Sequence, residues 1–597
     1  MAVFNNKYGK NVADARVVRH GFAFLGGLVL TFLFSNIAHA GLLDDLFGID
    51  SAENVSDIAE NIVTSSSSLP GLITGISYLL ALLFGVTGIL KLKDHVENPS
   101  QTPLRVSMIR FIIGGALLAL PMIYEAMTRT ITGANGVVDF EAGTFSLDDA
   151  YSGVLGTVSD VLGQIGVGED FNFILAAIVD SIEGLPGLIS AAAYLLALLF
   201  GVLGLLKLRE HVENPDQTKL KEGVVRLLIG GALFAIPNIY ETMQNAIVGD
   251  DGAFGSLGGV LALIDEIASV LGDADKCDPL GTIVSGVTGT SGFSLGSVMC
   301  NISVHAGAFP AFLTAISYLF GIILGFWGIL KIKEHALNPS QTSIWEGVSR
   351  FIAAGCFFTL PAVVDVMKAT VAPVTIADAG FSIVSIIESA QGILDDILGI
   401  FGGGSGGGAG ACEGLDGALS CFMSDIAGPF TVVLNLFALA AGTVLIMIGI
   451  SRLMKSAQEG ARAPGGIGTI MTFLTGGILI SYNEILGAFT TSLFNTSTSR
   501  AYPVLAYDDG LSQDEVAHVR TVIVAVLQFM TIIGLISFVR GIFLVRGVAE
   551  GNSQASLMAA VTHLVGGALA VNLGPLMNAV QATLGITGFG VSFVTGP

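Results

Sequence analysis

Residues 91–102 read Lys91-Leu-Lys-Asp-His-Val-Glu-Asn-Pro-Ser-Gln-Thr102. Two later stretches repeat them, KLREHVENPDQT over 207–218 and KIKEHALNPSQT over 331–342. An apolar run precedes each copy: ISYLLALLFGVTGIL, AAYLLALLFGVLGLL and ISYLFGIILGFWGIL. Another follows: IRFIIGGALLALP, VRLLIGGALFAIP and SRFIAAGCFFTLP. The repeating unit is an apolar segment, a short polar turn and a second apolar segment. Repetition at this scale sets the architecture before any local reading.

The 597 residues are 52% hydrophobic and only 12% charged, and the mean hydropathy is +0.76. Soluble domains carry about twice that charged fraction. The apolar runs approach the ~20 residues that cross a bilayer core of about 30 Å. These features define an all-α membrane protein. A net charge of −22 argues against a nucleic-acid-binding surface, which would be basic, and direct sequence-specific nucleic-acid binding is not expected.

The N-terminus reads as a secretory signal over 1–40. Lys7, Lys10, Arg16 and Arg19 form the positive region, 21–34 the apolar region, and Ala38-His39-Ala40 the small-residue site. Cleavage is expected before Gly41; an uncleaved anchor is the alternative.

Ten transmembrane spans are expected as five tandem helical hairpins. They occupy 71–127, 187–243, 309–367, 428–488 and 519–597, the last including a tail. Between them lie an acidic segment 41–70, a segment 128–186, a cysteine-bearing loop 244–308, a segment 368–427 and a loop 489–518. The last two hairpins lose the His-x-x-Asn-Pro turn but keep basic residues beside it: Arg452, Lys455 and Arg462, then Arg540 and Arg546. Paired glycines also persist: Gly476-Gly477 and Gly566-Gly567 match Gly114-Gly115 and Gly230-Gly231.

Basic residues gather in the five turns and acidic residues in the long connections. By the positive-inside rule the turns face the cytoplasm and both ends of the mature chain face the periplasm. The segments 41–49, 256–274 and 381–400 have apolar residues at helical spacing with acids between. They are expected to be amphipathic periplasmic helices on the membrane or a partner, or simple covers for the hairpin ends. The glycine-rich 401–410 is a linker, since no Lys-Ser/Thr follows and no βαβ pattern surrounds it.

Cys277 and Cys300 share one outer loop, and Cys412 and Cys421 another. An oxidising compartment allows local disulfides Cys277–Cys300 and Cys412–Cys421, although sequence cannot prove connectivity. Cys356 is expected to be a packing residue inside a span.

Packing and termination account for most of the turn motif. Lys91, Lys93, Lys207, Arg209, Lys331 and Lys333 can reach lipid headgroups. Asn98-Pro99, Asn214-Pro215 and Asn338-Pro339 end the first helices. Thr102, Thr218 and Thr342 are expected to cap the second helices, with Ser343 and Glu346 as an alternative capping box. His95, His211 and His335 lack a neighbouring His or Cys at ligand spacing. A hydrogen-bonding role at a subunit contact is favoured over metal binding or proton relay. The glycine pairs, with Ala354-Gly355 in the third copy, let another helix approach closely. Tyr78, Tyr194 and Tyr318 are expected to pack in the bundle, with a lumen lining as the alternative. Arg110, Arg226 and Arg350 lie about two turns inside the second helices and can snorkel. Arg540, His563 and Glu484 are scattered ionisable residues within spans. No metal site, cofactor or credible nucleophile with its base is expected, and an enzyme is not.

The turn resembles that of the small inner-membrane hairpin proteins of type IVB (Dot/Icm-type) secretion and IncI-type conjugation systems, the IcmC/IcmD class. Their turn reads much like KxKxHxxNPxQ, and KLKDHVENPSQ, KLREHVENPDQ and KIKEHALNPSQ are similar to it. So are the following Gly-Gly and Pro positions. The second copy departs at Arg209, and the likeness covers three hairpins. The resemblance implies a structural or channel-wall subunit of a DNA- or protein-transfer apparatus in the bacterial inner membrane. Its partners would be other secretion-system subunits and membrane lipid, within an oligomeric complex. A pilin-like polyprotein cut into separate hairpins and a secondary transporter are the alternatives. A transporter would show inverted repeats and broken helices, and these runs show no obvious paired breaks.

Overall fold

The computed structural model describes residues 55–66, 69–99, 103–132, 171–236, 239, 295–306, 309–371, 414–459, 466–494, 501–505, 512–552, 554–585 and 591–595. The signal region, the three amphipathic segments, the glycine-rich linker, Cys277 and Cys412 lie outside them. The chain forms two compact units, Met1–Ser152 with Ser181–Pro237, and Gly153–Asp180 with Asn238–Pro597.

The first unit holds α1 (Val55–Ser66), α2 (Leu69–Glu97), α3 (Leu104–Leu118), α4 (Leu120–Thr132), α6 (Leu185–Glu213) and α7 (Leu220–Phe234); α5 (Phe171–Ile182) precedes α6. The second unit holds α8 (Leu295–His305), α9 (Phe309–Leu337), α10 (Ile344–Phe358), α11 (Leu360–Val371), α12 (Gly414–Glu459), α13 (Gly466–Ile480) and α14 (Tyr482–Phe494). It continues with β1 (Ala501–Leu505), α15 (Gln513–Ala549), α16 (Leu557–Val571), α17 (Leu573–Thr583) and β2 (Val591–Thr595). β1 and β2 pair antiparallel, Pro503 opposite Phe593.

Five helix pairs recur: α2 with α3, α6 with α7, α9 with α10, α12 with α13, and α15 with α16. The pairs run antiparallel. In the first, Ser77 Oγ donates to Leu117 O at 2.9 Å while Ser107 Oγ donates to Gly88 O at 3.2 Å. In the third, Ser317 Oγ donates to Phe357 O at 2.7 Å. These hydroxyls satisfy themselves on the neighbouring backbone, as polar groups in an apolar bundle must.

The sequence expects ten spans, and the described residues supply five helices long and apolar enough to cross, or up to eight if bent pairs count as one span each. The difference lies in the second helices. Each of the five is 15 residues long, about 22 Å at 1.5 Å per residue, short of a bilayer core of about 30 Å. After three of them the chain turns sharply. The bend is 90° between α10 and α11, 79° between α13 and α14, and 86° between α16 and α17. Single residues sit at the breaks after α3, α7, α10, α13 and α16: Ala119, Ala235, Thr359, Ser481 and Asn572. Pro121 and Pro361 follow two residues later, and Pro575 three. Proline lacks the N–H that would continue the ladder and collides with the preceding turn. The break after α13 has Asn483 instead. The sequence places Pro121, Pro237, Pro361 and Pro575 near the outer span ends, where a kink or stop costs little; the absence of paired breaks expected from it is corrected here.

The first helices are longer than expected. α2, α6 and α9 each have 29 residues and begin with Pro70, Pro186 and Pro310 in the first turn, where a missing N–H costs nothing. α12 has 46 residues and contains Pro429. Cys421 therefore lies in a helix, not a loop, and so does the Cys300 position.

Candidate functional site

The chemistry-bearing residues gather at two levels of each pair, the turn and the break. At the turn, one arrangement occurs twice among the described residues. His211 Nδ1 lies 2.6 Å from Thr218 O and His335 Nδ1 lies 2.7 Å from Thr342 O. A carbonyl can only accept, so Nδ1 carries the proton in both. The threonine hydroxyls donate back to Asn214 O at 3.2 Å and Asn338 O at 3.3 Å. His211 and His335 are thus clasps across their own turns through Nδ1. The threonines do not cap the second helices: the N-cap residues are Pro103, Lys219 and Ser343. Ser343 accepts from Trp345 N at 3.3 Å. The Ser343–Glu346 box does not form, because Glu346 instead lies 3.6 Å from Arg350. A full capping box occurs at Ser512 and Glu515. The Ser-x-x-Glu spacing there could have been read from the sequence. Backbone and side-chain hydrogen bonds from Ser512 hold the Glu515 carboxyl below its ordinary range.

The turn lysines pair along their own helices. Lys91–Asp94 is 3.2 Å, Lys207–Glu210 2.6 Å and Lys331–Glu334 2.7 Å; Lys93–Glu97 is 3.6 Å. Asn98, Asn214 and Asn338 close the first helices through N–H bonds to the residue four earlier, each 2.8 Å. Pro99, Pro215 and Pro339 follow and stop the ladder, as expected.

Two glutamates clip neighbouring pairs together near the turns. In the first unit, Glu213 Oε1 accepts from Arg110 Nε at 2.8 Å and from Arg209 Nε at 3.0 Å. Arg209 also lies over the Phe84 ring at 4.7 Å. In the second unit, Glu550 Oε1 takes Arg452 at 2.6 Å and Arg546 at 2.8 Å, with Arg452 also bonded to Thr472 at 3.1 Å. Burial opposes the charge on Glu550, but Arg546 and Arg452 outweigh it and hold its carboxyl below the ordinary value. Arg226 and Arg350 instead reach back to Glu222 O and Glu346 O. The Arg–Glu–Arg clips were not expected from the sequence, because their partners are far apart in the chain.

The glycine level lies one turn before each break. A Cβ on Gly114 would lie 3.0 Å from Ala81 O, on Gly230 2.9 Å from Ala197 O, and on Gly476 2.8 Å from Gly442 O. In the fifth pair the equivalent residue is Gly567, 2.7 Å from Gly534 O, whereas Gly566 has open space. The expected match of Gly566-Gly567 to Gly114-Gly115 is therefore off by one residue. The second member of each glycine pair varies in environment. Gly115 meets nothing, Gly231 meets the Met127 side chain, and Gly477 lies 2.8 Å from Met367 O. Gly355 is buried.

Segments beyond the breaks join one pair to the next. Tyr124 of α4 donates to Ala197 O at 2.5 Å, packs against Gly201 and Gly230, and stacks on Phe234 with centroids 5.4 Å apart. In the second unit, α11 brings Met367 to Gly477 and Lys368 to within 3.5 Å of Glu484. Tyr194 and Tyr318 are buried, as bundle packing requires, while Tyr78 is exposed. Arg540 is exposed, and His563 shares a hydrogen bond with Ser537 at 3.0 Å.

The breaks of the fourth and fifth pairs carry buried polar side chains. Tyr482 OH and Asn483 Nδ2 both donate to Asn435 Oδ1, the second at 3.2 Å. Asn572 Nδ2 donates to Thr490 Oγ1 at 2.9 Å. Ser481 Oγ and Asn572 Oδ1 are buried without a partner. Among the described residues no group of His, Cys, Asp and Glu is arranged to hold a metal ion. Cys356 is a free thiol.

No family model, curated protein or solved structure matches this chain.

Proposed function

We propose that the chain is a structural or channel-wall subunit of an inner-membrane transfer apparatus of the type IVB secretion or conjugation kind. The observation that carries this reading is the mode of joining. In each unit, the segment beyond a break packs into the glycine level of the next pair, as Tyr124 does at Gly230 and Met367 at Gly477. Small residues let helices meet closely where lipid offers no drive to associate. Repeats joined this way build a wall. The turn sequences supply the particular apparatus, and the basic turns put their side of the wall in the cytoplasm.

The test is deletion of the gene, followed by measurement of DNA or protein transfer to recipient cells and recovery of the other subunits as one complex. Loss of transfer with a depleted complex supports the proposal. Normal transfer with the complex intact overturns it.

A secondary transporter is favoured by one observation, the breaks with buried polar side chains at Ser481 and Asn572. That reading requires Ser481→Ala or Asn572→Ala to stop cargo movement in a normally assembled complex. Normal movement in both variants removes it.

A further inference from the structure

We propose that α17 of one copy packs on the first helix pair of a second copy, so that chains join head to tail. Within one chain, three helices beyond a break pack on the next pair at one register. The residue five past the break is Tyr124, Val364 or Leu486, and each is buried. Tyr124 packs against Gly201 and Gly230, Val364 clusters with Ile446 and Ile450, and Leu486 clusters with Phe538 and Ala568. Eight past the break, Met127 reaches Gly231 and Met367 reaches Gly477.

Among the described residues, the first and last pairs each lack one side of this contact. In the first pair, Gly85 and Gly115 match Gly201 and Gly231, and a Cβ on either meets nothing within 4 Å. Tyr78 is 39% exposed, whereas the matching Tyr194 and Tyr318 are 3% and 5% exposed. Only 22% of the most apolar stretch of α2 is buried, against 50% for the long helices of the second, third and fourth pairs. In the last pair, α17 places Met577 five past the break and Val580 eight past, 40% and 43% exposed. The adjoining face of α17 is taken by β2: Asn578 bonds to Phe593, and Gln581 donates to Val591 O at 3.0 Å. α17 carries no Asp, Glu, Lys or Arg, so it suits a membrane-embedded contact.

An apolar face alone could rest in lipid. The notch at Gly85 and Gly115 points to a helix instead, because small residues at this level serve close packing and the filled counterparts hold a helix that follows a break. Among the described residues, α17 is the helix of that kind whose contact positions are uncovered. The tail of one chain thus fits the head of another. Both copies keep one orientation in the membrane, because the contact repeats the one between successive pairs. The two surfaces differ, so the contact is heterologous and either closes into a ring or continues as a filament. It rests on the wall-building reading given above and is read out without transfer, so its failure leaves that reading standing for a single copy.

The experiment is cross-linking of the full-length chain in native membranes. A benzophenone amino acid replaces Tyr78, and the adduct formed under light is identified by mass spectrometry. An adduct between two copies that contains α17 is expected. An adduct with residues 21–34, with a different protein, or with lipid alone overturns the proposal. The second arm checks the register. A Cβ on Gly231 would lie 3.3 Å from Met127 Cβ, close to the ~3.5–4.5 Å of a disulfide, and the matching positions between copies are 115 and 580. Chains with the native cysteines replaced by serine carry either Gly115→Cys or Val580→Cys, each with its own tag, and are made in the same cells. Oxidation should give a band bearing both tags, and Gln581→Cys in place of Val580→Cys should give at least tenfold less. No doubly tagged band, or equal yields at 580 and 581, overturns the head-to-tail contact.

Discussion

Tyr124 and Ala197 are 73 residues apart in sequence, yet the tyrosine hydroxyl donates to the alanine carbonyl at 2.5 Å. The contact closes because Gly201 and Gly230 leave a notch that any side chain would fill. A ring from one helix pair thereby becomes part of the interior of the next, stacked on Phe234. Aromatic rings contribute most when their polar tip finds a partner, and this one does.

Tyr124→Phe should lower stability by about 0.5–1.5 kcal/mol, the net worth of one hydrogen bond. Gly201→Ala should cost more, because the new Cβ meets the tyrosine oxygen and ring. Gly115→Ala should be near neutral, since nothing lies within 4 Å. Thermal unfolding of the full chain in detergent checks all three. Equal losses at Gly201 and Gly115 would show that the notch is not what matters.

Glu213→Gln should lower stability by about 1.5–3 kcal/mol, because hydrogen bonds to charged groups exceed neutral ones. Arg110→Ala in the Glu213→Gln background should add little. A double-mutant cycle isolates that coupling. Full additivity would mean that Arg110 and Glu213 act independently despite their 2.8 Å contact.

The Glu550 clip should be sensitive to acid. Its carboxyl titrates below the ordinary value of 4.5, so its contribution is complete above that value and is lost as pH falls through the lowered one. At neutral pH, raising or lowering the pH by one unit should leave this contribution unchanged. Stability of the parent and of Glu550→Gln should draw together as the pH falls below the ordinary carboxylate range. Parallel curves across that range would contradict the assignment.

Replacing His211 or His335 by Ala should loosen one turn without unfolding a pair. Each loses a single hydrogen bond to a threonine carbonyl. Hydrogen exchange should accelerate over 214–219 or 338–343 and stay constant in the helices. Metal content should be unchanged. A metal lost with the histidines would restore the ligand reading.

With the native cysteines replaced, a cysteine at Asp216 or Ser340 should be shielded from an impermeant thiol reagent in intact cells. Both positions are exposed turn residues, so shielding reports the membrane and not burial. Labelling at either would reverse the proposed orientation.

Local chemistry made much of the molecule legible. Composition and apolar run length gave a helical membrane protein, because a chain in hydrocarbon must satisfy its backbone within helices or a closed barrel. The repeated Asn-Pro and flanking glycines located the turns and the close-packing level. These are short-range effects, carried by residues that touch their own neighbours in sequence.

Only the tertiary structure decided what depends on distant partners. Pro361 marked a possible stop, but no sequence signal said that the chain would turn by about a right angle after 15 residues. The break at Ser481 has no proline, and there Tyr482 and Asn483 turn to Asn435 of another helix. Glu213 and Arg110, Glu550 and Arg452, and Tyr124 and Ala197 are ordinary residues until folding brings them together. The glycine alignment of the fifth pair moved by one residue because the facing carbonyl belongs to Gly534, and a helix face is defined by what packs on it.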